Sequence, residues 1–392
     1  MNSPIMPTYQ RLPIAFERGE GAWLWDENNN RYLDALSGVA VCNIGHAHPA
    51  VHQALCEQSK KLVHTSNIYR IPNQERLAEQ LMAKSGMDNA FFCNSGAEAN
   101  EAAIKLARKY GNSRGIENPA IIVMEKSFHG RTLATLSATG NPKVQQGFEP
   151  LVAGFVRVPY NDISAIQQVL AQQQNIVAIL VEPVQGEGGV NIPAPDYLKS
   201  IRALCDQHQL LMMLDEIQTG VGRTGKFLAY QHYGILPDVC TLAKALGNGV
   251  PIGACLARGK ASELLTAGTH GSTFGGNPLT CCAALAVLKV LDDEKLVDSA
   301  TQKGHAIWMG FKQKLQNNPH VVDIRHQGMM IGIELDSPCA ELVKSALDAR
   351  LLINVTNDKT IRLLPPLVMD EQQIQLLVDT LTPLILAFTE QL

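Results

Sequence analysis

Short apolar segments alternate with longer helix-forming segments through the middle of this 392-residue chain. Strands are predicted at residues 90–93, 120–124, 155–158, 176–181, 210–214 and 239–242, and helices at 97–110, 164–173 and 197–208. Such an alternation requires a mostly parallel sheet, because parallel strands are joined by crossover helices that cover both faces. The middle of the chain therefore predicts an α/β fold.

The pattern changes after about residue 275. Two long helices are predicted there, followed by strands and two further helices, at 279–291, 300–315, 321–324, 329–335, 340–349 and 371–388. This order indicates a smaller α+β unit. We expect an N-terminal segment (1–48) that packs with the small domain, a large domain (49–290) and a C-terminal small domain (291–392). Because no repeat or flexible linker separates them, the domains should pack closely.

Charge and cysteine content exclude several classes of protein. A net charge of −4 without a long Lys/Arg run argues against binding nucleic acid or an anionic membrane through bulk charge. The nine cysteines form no CxxC pair, so they predict neither a metal site nor a disulfide framework and instead indicate a reducing compartment. No apolar run is long enough for a signal peptide or a membrane span. A cytoplasmic enzyme is therefore expected.

Two charged residues follow predicted strands closely. Asp215 comes directly after the strand 210–214, and Lys244 follows the strand 239–242 and precedes a glycine-rich loop. Open α/β sheets bind ligands at the carboxyl ends of their strands. A lysine desolvated at such a place has a lowered pKa and can form a Schiff base. Taken singly, a loop-capping acid and a lysine with its amine in water are the more common explanations.

A phosphate site is predicted where a strand runs into a helix at Asn94-Ser95-Gly96-Ala97. The free N–H groups of a first helical turn and the helix dipole attract an anion, and an N-cap role for Ser95 is compatible with this. Further along, Phe128 could stack on a flat cofactor and Arg131 could bind a carboxylate through two hydrogen bonds. Alone, such residues are more often a core ring and a surface ion pair.

Together these features match the needs of pyridoxal 5'-phosphate. The lysine would bind its aldehyde, and the aspartate, 29 residues earlier, would keep its pyridine nitrogen protonated so that the ring acts as an electron sink. The helix N-terminus would take its phosphate, and the aromatic residue would cover its ring. Each signal is weak alone, but the combination favours this cofactor.

Seven sequence blocks, spread in order along essentially the whole chain, resemble the class III pyridoxal-phosphate-dependent aminotransferases of fold type I. They are LSGVAVCNIGHAHP (36–49), SGAEAN (95–100), FHGR (128–131), VEPVQGEG (181–188), LDEIQTG (214–220), LAK (242–244) and GSTFGGNP (271–278). The resemblance implies a large domain with a mostly parallel seven-stranded sheet and a smaller α+β domain.

The resemblance also implies roles in cofactor binding. Lys244 would carry the cofactor and later move a proton between the substrate carbon and the cofactor's C4′ atom. Asp215 would pair with the pyridine nitrogen, and Gln218 would hydrogen-bond the ring oxygen. The other implied cofactor contacts are the backbone of Gly96 and Ala97, the side chains of Phe128 and Ile217 on the two ring faces, Glu216, and Thr273.

Thr273 would reach the phosphate in the neighbouring subunit, and Ser272 would lie near the substrate there. The resemblance therefore implies an obligate homodimer with shared active sites.

For the substrates, the resemblance implies that Arg131 holds a carboxylate and that Glu187 and Arg362 form a switch pair. Glu187 would neutralise Arg362 while an acylated diamine is bound, and would release it for the α-carboxylate of glutamate. A purely structural ion pair is the alternative. Tyr9 resembles an active-site tyrosine of the family.

Two positions bear on the choice of amino donor. Val39 replaces a tyrosine, and His129 a tryptophan, of the ornithine-specific relatives. A wider pocket would admit an acyl group, so N-acetylornithine with 2-oxoglutarate is the expected substrate pair. N-succinylornithine and N-succinyl-diaminopimelate are alternative donors, and ornithine and 4-aminobutyrate are less favoured.

The sequence also bears on two other functions, a dinucleotide-binding dehydrogenase and a binding protein that has lost catalysis. The segment 220–225 matches GxGxxG, which is typical of dinucleotide-binding folds, but five residues separate the preceding strand from the first glycine and no clear helix follows. A relative without catalytic activity would be expected to lack key residues, whereas Lys244, Asp215 and Arg131 are all present.

Overall fold

A seven-stranded sheet forms the centre of the computed structural model, which describes residues 4–392. Three strands precede it in the chain and belong to another sheet: β1 (Phe16–Glu20), β2 (Trp23–Asp26) and β3 (Arg31–Asp34). The strands of the central sheet, in chain order, are β4 (Asn89–Cys93), β5 (Ala120–Met124), β6 (Phe155–Val158), β7 (Ile176–Val181), β8 (Leu211–Asp215), β9 (Val239–Leu242) and β10 (Gly253–Ala257). Across the central sheet, the spatial order of the strands is β4-β10-β9-β8-β7-β5-β6.

The five strands from β5 to β9 run parallel, and β10 lies antiparallel between β4 and β9. Every residue of β7 and β8 is buried, which explains why these segments are continuously apolar rather than alternating. The expected α/β fold with a mostly parallel seven-stranded sheet is confirmed.

Helices surround this sheet and continue into the C-terminal part. They are Pro49–Ser59, Pro72–Ser85, Gly96–Ser113, Leu133–Ala138, Pro142–Gln145, Ile163–Gln172, Tyr197–His208, Pro278–Asp293, Leu296–Leu315, Leu342–Asp348 and Glu371–Thr389, with a short turn at Ser37–Ala40 and 3-10 turns at Ala229–Tyr233, Lys244–Leu246 and Gly259–Glu263. Within residues 4–392, none of the helices has both the length and the apolar character needed to cross a membrane.

Two smaller sheets lie outside the central one. Their remaining strands are β11 (Val321–Gln327), β12 (Met330–Leu335), β13 (Leu351–Leu352), β14 (Asn354–Thr356) and β15 (Thr360–Leu363). One sheet is antiparallel with the order β11-β12-β15-β14, and the other has the order β1-β2-β3-β13. Because β3 pairs with β13, the N-terminal strands are joined to the C-terminal part of the chain.

The division of the chain after residues 48 and 290 remains a prediction. The helix Pro278–Asp293 continues past residue 290 without interruption.

The glycine-rich segment 220–225 forms turns rather than the start of a helix, so it lacks the geometry of a dinucleotide site. Its arginine, Arg223, is fully buried. The Arg223 guanidinium donates to the carbonyl oxygens of Met329, at 2.9 Å, and Pro365, at 2.5 Å, and to the side chain of Asn43. It therefore connects the large sheet region to both the N-terminal segment and the C-terminal sheet.

We expect Arg223→Met to lower the thermal unfolding midpoint by several degrees, because it leaves buried carbonyl groups without donors. The loss should correspond to about 2–4 kcal/mol. Differential scanning calorimetry measures it, with Arg18→Met as the control, since the Arg18 side chain is 54% exposed, where it pairs with Glu20 and stacks on the Trp25 ring. Equal midpoints for the two variants would contradict the connecting role of Arg223.

Candidate active site

A cavity of about 390 Å³ opens at the carboxyl ends of β8 and β9. It lies where open α/β sheets bind their ligands. The structure brings the following predicted residues together on its wall: Gly96, Ala97, Phe128, Arg131, Asp215, Ile217, Gln218 and Lys244.

Asp215 ends β8 and is almost completely buried. One carboxylate oxygen accepts hydrogen bonds from Asn100 Nδ2 and His129 Nδ1, both at 2.8 Å, and the other accepts from the backbone N–H of Ile217 at 3.1 Å. Hydrogen bonds to a carboxylate stabilise its charged form, which a buried acid needs. The Asp215 carboxylate is thus held in one orientation beside the cavity.

The partners of Asp215 are themselves fixed. Thr241 on β9 donates to Asn100 Oδ1 at 2.8 Å, so the Asn100 amide group must direct its NH₂ towards Asp215 and the His129 carbonyl. His129 Nε2 is buried without a hydrogen-bond partner, so a proton on Nδ1, shared with Asp215, is the arrangement that the contacts favour. Neither Asn100 nor this role of His129 was found from the sequence.

The structure shows where the His129 ring lies. Its imidazole side chain is fully enclosed and points to Asp215. His129 is among the residues that line the cavity, and a substrate space wider than a tryptophan would leave stays a prediction.

Lys244 follows β9, and its side chain lies on the cavity wall. Its backbone φ of +45° lies in the left-handed region, which is uncommon for a residue with a side chain and concentrates at functional sites. Burial lowers the pKa of the Lys244 amine to about 8, with a further contribution from Arg362, although the nearby carboxylates of Glu187 and Asp215 oppose the shift. A substantial fraction of the amine is therefore neutral near physiological pH.

The helix Gly96–Ser113 begins at the cavity. Ser95 caps it by accepting the N–H of Glu98 at 3.2 Å, and the Glu98 carboxylate accepts the N–H of Asn94 at 2.8 Å, so the turn is held from both sides. A Cβ on Gly96 would come within 2.7 Å of Ile217 Cδ1, which explains why glycine stands there. The other first-turn N–H groups lack acceptors within the helix, so they could donate to an anion bound at the cavity.

Phe128 and Arg131 form one side of the cavity, with the Arg131 guanidinium 5.7 Å from the centre of the Phe128 ring. The backbone N–H of Phe128 donates to the buried Glu182 carboxyl at 2.9 Å. Burial, together with the Asp215 charge, raises the pKa of Glu182 well above its ordinary value.

An ion pair adjoins the cavity through Gln218. Arg362 Nη1 donates to Glu187 Oε1 at 2.7 Å and to Gln218 Oε1 at 3.2 Å, and Gln218 Nε2 donates to Glu187 Oε1 at 3.3 Å. Burial opposes ionisation of Glu187, but the charge of Arg362 and its hydrogen bond lower the pKa of the carboxyl overall. The predicted ion pair between Glu187 and Arg362 is thus formed.

Three predicted side chains lie away from the cavity wall. Glu216 is turned into the protein, where it accepts from Thr219 and from the N–H of Tyr230. Val39 packs in an apolar cluster with Val190 rather than on the wall, where Val41 stands instead. Tyr9 is largely exposed. The structure therefore does not place these three side chains on the cavity wall, and their roles towards the cofactor and the substrates stay predictions.

Ser272 and Thr273 lie on a surface loop outside this cavity. Ser272 Oγ accepts from Asn94 Nδ2 at 3.2 Å and from the N–H of Gly275 at 3.0 Å, so it is tied to its own subunit beside the helix N-terminus. Thr273 is exposed. Neither side chain lines the cavity of its own chain, and the expected contribution to another copy's site stays a prediction.

The residues on the wall fit pyridoxal phosphate. The cavity offers an amine of lowered pKa, an oriented carboxylate, an aromatic face and a helix N-terminus, which match the aldehyde, pyridine nitrogen, ring and phosphate of that group.

Comparison with known proteins agrees with a pyridoxal phosphate site at this cavity. The acetylornithine aminotransferase of Nitrosomonas europaea is 58% identical over 388 residues, which cover 99% of each chain. The crystal structure of the ornithine aminotransferase from Toxoplasma gondii superposes with a TM-score of 0.96 at 35% identity, covering 99% of this chain and 94% of that one. The crystal structure of the acetylornithine aminotransferase from Elizabethkingia anophelis superposes with a TM-score of 0.87 at 37% identity, covering 97% of this chain and 96% of that one.

The family described as "Aminotransferase class-III" matches residues 5–385. The cofactor of this family is pyridoxal 5'-phosphate. With the wall residues and the sheet in agreement, the chain belongs to the class-III aminotransferases and is an aminotransferase.

Proposed function

We propose that this aminotransferase moves the δ-amino group of N2-acetyl-L-ornithine to 2-oxoglutarate, giving N-acetyl-L-glutamate 5-semialdehyde and L-glutamate, a step of arginine biosynthesis. The 58% identical relative from Nitrosomonas europaea is an acetylornithine aminotransferase, which supports this donor. The observation that carries the proposal is the Glu187–Arg362 pair beside Lys244, because it provides a carboxylate site that can be closed or opened.

When bound, pyridoxal phosphate supplies an electron sink for charge that develops on the substrate carbon. Asp215, fixed by Asn100 and His129, would hold the cofactor's ring nitrogen in its protonated form. The helix N-terminus at Gly96 and Ala97 would hold the phosphate. The Lys244 amine, with a pKa of about 8, can both accept and return a proton at the substrate carbon.

Arg131 and the Glu187–Arg362 ion pair would bind the carboxylates of different substrates. Arg131, on the cavity wall, would bind the carboxylate of the acylated donor. With that donor present, Glu187 keeps Arg362 neutralised, and the α-carboxylate of glutamate or 2-oxoglutarate would take the place of Glu187. One pocket then accepts two substrates of different charge.

We also propose a homodimer. Apolar side chains stand exposed around the loop that carries Thr273, with Ile68 80%, Tyr69 66% and Phe274 60% exposed. Asn67 Nδ2 donates to the carbonyl oxygens of Ser272 and Gly275, which makes this surface continuous. A second copy would cover it, since monomeric proteins rarely leave such a patch uncovered. The nine free cysteines support a cytoplasmic location.

The donor is tested in single half-reactions. We expect the cofactor-loaded enzyme to lose its visible absorbance fastest with N-acetylornithine, ahead of N-succinylornithine and N-succinyl-diaminopimelate, and slowly with ornithine or 4-aminobutyrate. Stopped-flow absorbance measures each rate, and Lys244→Ala serves as the inactive control. Fastest reaction with free ornithine would replace the proposed donor while leaving the family assignment in place.

The lowered pKa of Lys244 predicts how cofactor attachment depends on pH. Attachment needs the neutral amine, so its rate with cofactor-free protein should rise with pH and level off above about 8. An ordinary lysine would instead continue to gain rate up to about pH 10. Appearance of the visible band after addition of pyridoxal phosphate measures the rate, and a continuous rise through pH 10 would contradict the shifted pKa.

The dimer is tested by mass. One chain has a mass of 42.6 kDa, and we expect sedimentation equilibrium to give about twice that value. Tyr69→Glu should shift the enzyme towards the monomer, because it places a charge in the apolar surface, whereas a substitution at the exposed Leu376 should not. A monomeric wild-type enzyme at micromolar concentration would refute the proposal.

A further inference from the structure

Three side chains bind the guanidinium of Arg362, and only one of them is charged. Nη1 contacts Glu187 and Gln218, as described above, and Nε donates to Asn354 Oδ1 at 3.0 Å. The third of these residues, Asn354, begins β14. It is a neutral acceptor, so it orients the guanidinium without cancelling its charge.

Asn354 is held rigidly relative to Arg362. The two residues stand directly opposite each other on the paired strands β14 and β15, so their side chains share one face of the sheet. On the other neighbouring strand, β12, the residue opposite Arg362 is Gly332. A Cβ there would lie 2.9 Å from Cβ of Val190, so the glycine makes room for the loop that carries Glu187.

The backbone of that loop is anchored as well. Thr356 donates its hydroxyl to the carbonyl of Glu187, and Arg325 donates to the carbonyl oxygens of Gly189, at 2.5 Å, and Val190, at 2.9 Å. The Glu187 side chain, by contrast, is 35% exposed, whereas that of Arg362 is only 1% exposed. The ion pair can therefore open by rotation of the Glu187 side chain into solvent.

Arg362 cannot follow it, because a buried guanidinium that lost its acceptors would be left unpaired. It needs acceptors that remain when Glu187 withdraws.

We infer that Asn354 is the positioning residue that keeps Arg362 aimed at the cavity after Glu187 withdraws, and so sets the affinity for the dicarboxylate substrate. This inference rests on the proposed function. Asn354 holds the Nε edge, which leaves Nη1 for an incoming carboxylate. It serves only the half-reaction with glutamate or 2-oxoglutarate, since Glu187 itself holds Arg362 during the other half.

The experiment compares Asn354→Ala and Asn354→Asp with Asn30→Ala. Asn30 is a matched control, because its Oδ1 also accepts a hydrogen bond from an arginine, Arg350, at 2.9 Å, outside the cavity. Each cofactor-loaded enzyme is titrated with glutarate, a five-carbon dicarboxylate without the reacting keto group, through the cofactor absorbance. The KM values for 2-oxoglutarate and for N-acetylornithine are measured separately.

In Asn354→Ala we expect glutarate to bind about tenfold more weakly and the KM for 2-oxoglutarate to rise in parallel, the effect of losing one hydrogen bond to a charged group. The reaction with N-acetylornithine should stay unchanged. Asn354→Asp should weaken glutarate further, because a permanent carboxylate neutralises Arg362. Glu187→Gln should show the reverse selectivity, with a weaker reaction with N-acetylornithine and no loss of glutarate binding. Asn30→Ala should change neither glutarate binding nor the reaction with N-acetylornithine.

Equal losses in both half-reactions, or unchanged glutarate binding in Asn354→Ala, would overturn the inference. If Asn354→Ala does not fold, Asn354→Asp serves as the test: it should lose glutarate binding but not the reaction with N-acetylornithine, and equal losses in both would overturn the inference. A wild-type enzyme that binds glutarate but does not react with N-acetylornithine would contradict only the proposed donor.

Discussion

The site depends on a buried carboxylate, that of Asp215, both of whose oxygens accept hydrogen bonds. Asp215 ends β8 inside the protein, and it receives donors from Asn100 in the helix Gly96–Ser113 and from His129 in the loop after β5. Thr241 on β9 fixes Asn100 in turn. An uncompensated buried charge would cost several kcal/mol, so the helix, the loop and two strands must meet in this arrangement.

The need to give a buried charged group enough hydrogen-bond partners also explains the surroundings of Arg362. Arg362 is as deeply buried as Asp215, yet its function as proposed demands that one partner be removable. The structure separates the two needs, with neutral acceptors from Gln218 and Asn354 and a charged one from Glu187. Gln218 also lines the cavity, so the switch pair and the cofactor-binding wall share a side chain.

The local sequence pattern was sufficient for the large sheet and for part of the site. The helix Tyr197–His208 was predicted to the residue, since its apolar periodicity and its flanking strands are strong local signals. The strands β1, β2 and β3 were not predicted as strands, because they are only four or five residues long and their sheet is completed when β3 pairs with β13, more than 300 residues away. The antiparallel β10 was missed too; its residues, GACLA, are small and give no strand signal.

Sequence alone therefore determined the positions of Lys244, Asp215 and the helix start at Gly96, because the end of a strand or the start of a helix is a local property. Only the tertiary structure decided where side chains point. It turned His129 to Asp215, Glu216 into the interior and Val39 into an apolar cluster. Glu187 and Arg362, 175 residues apart, were paired beforehand only by family resemblance, and their third partner, Asn354, emerged from the register of two strands. Such directions depend on burial and on partners distant in the chain, which no local pattern contains.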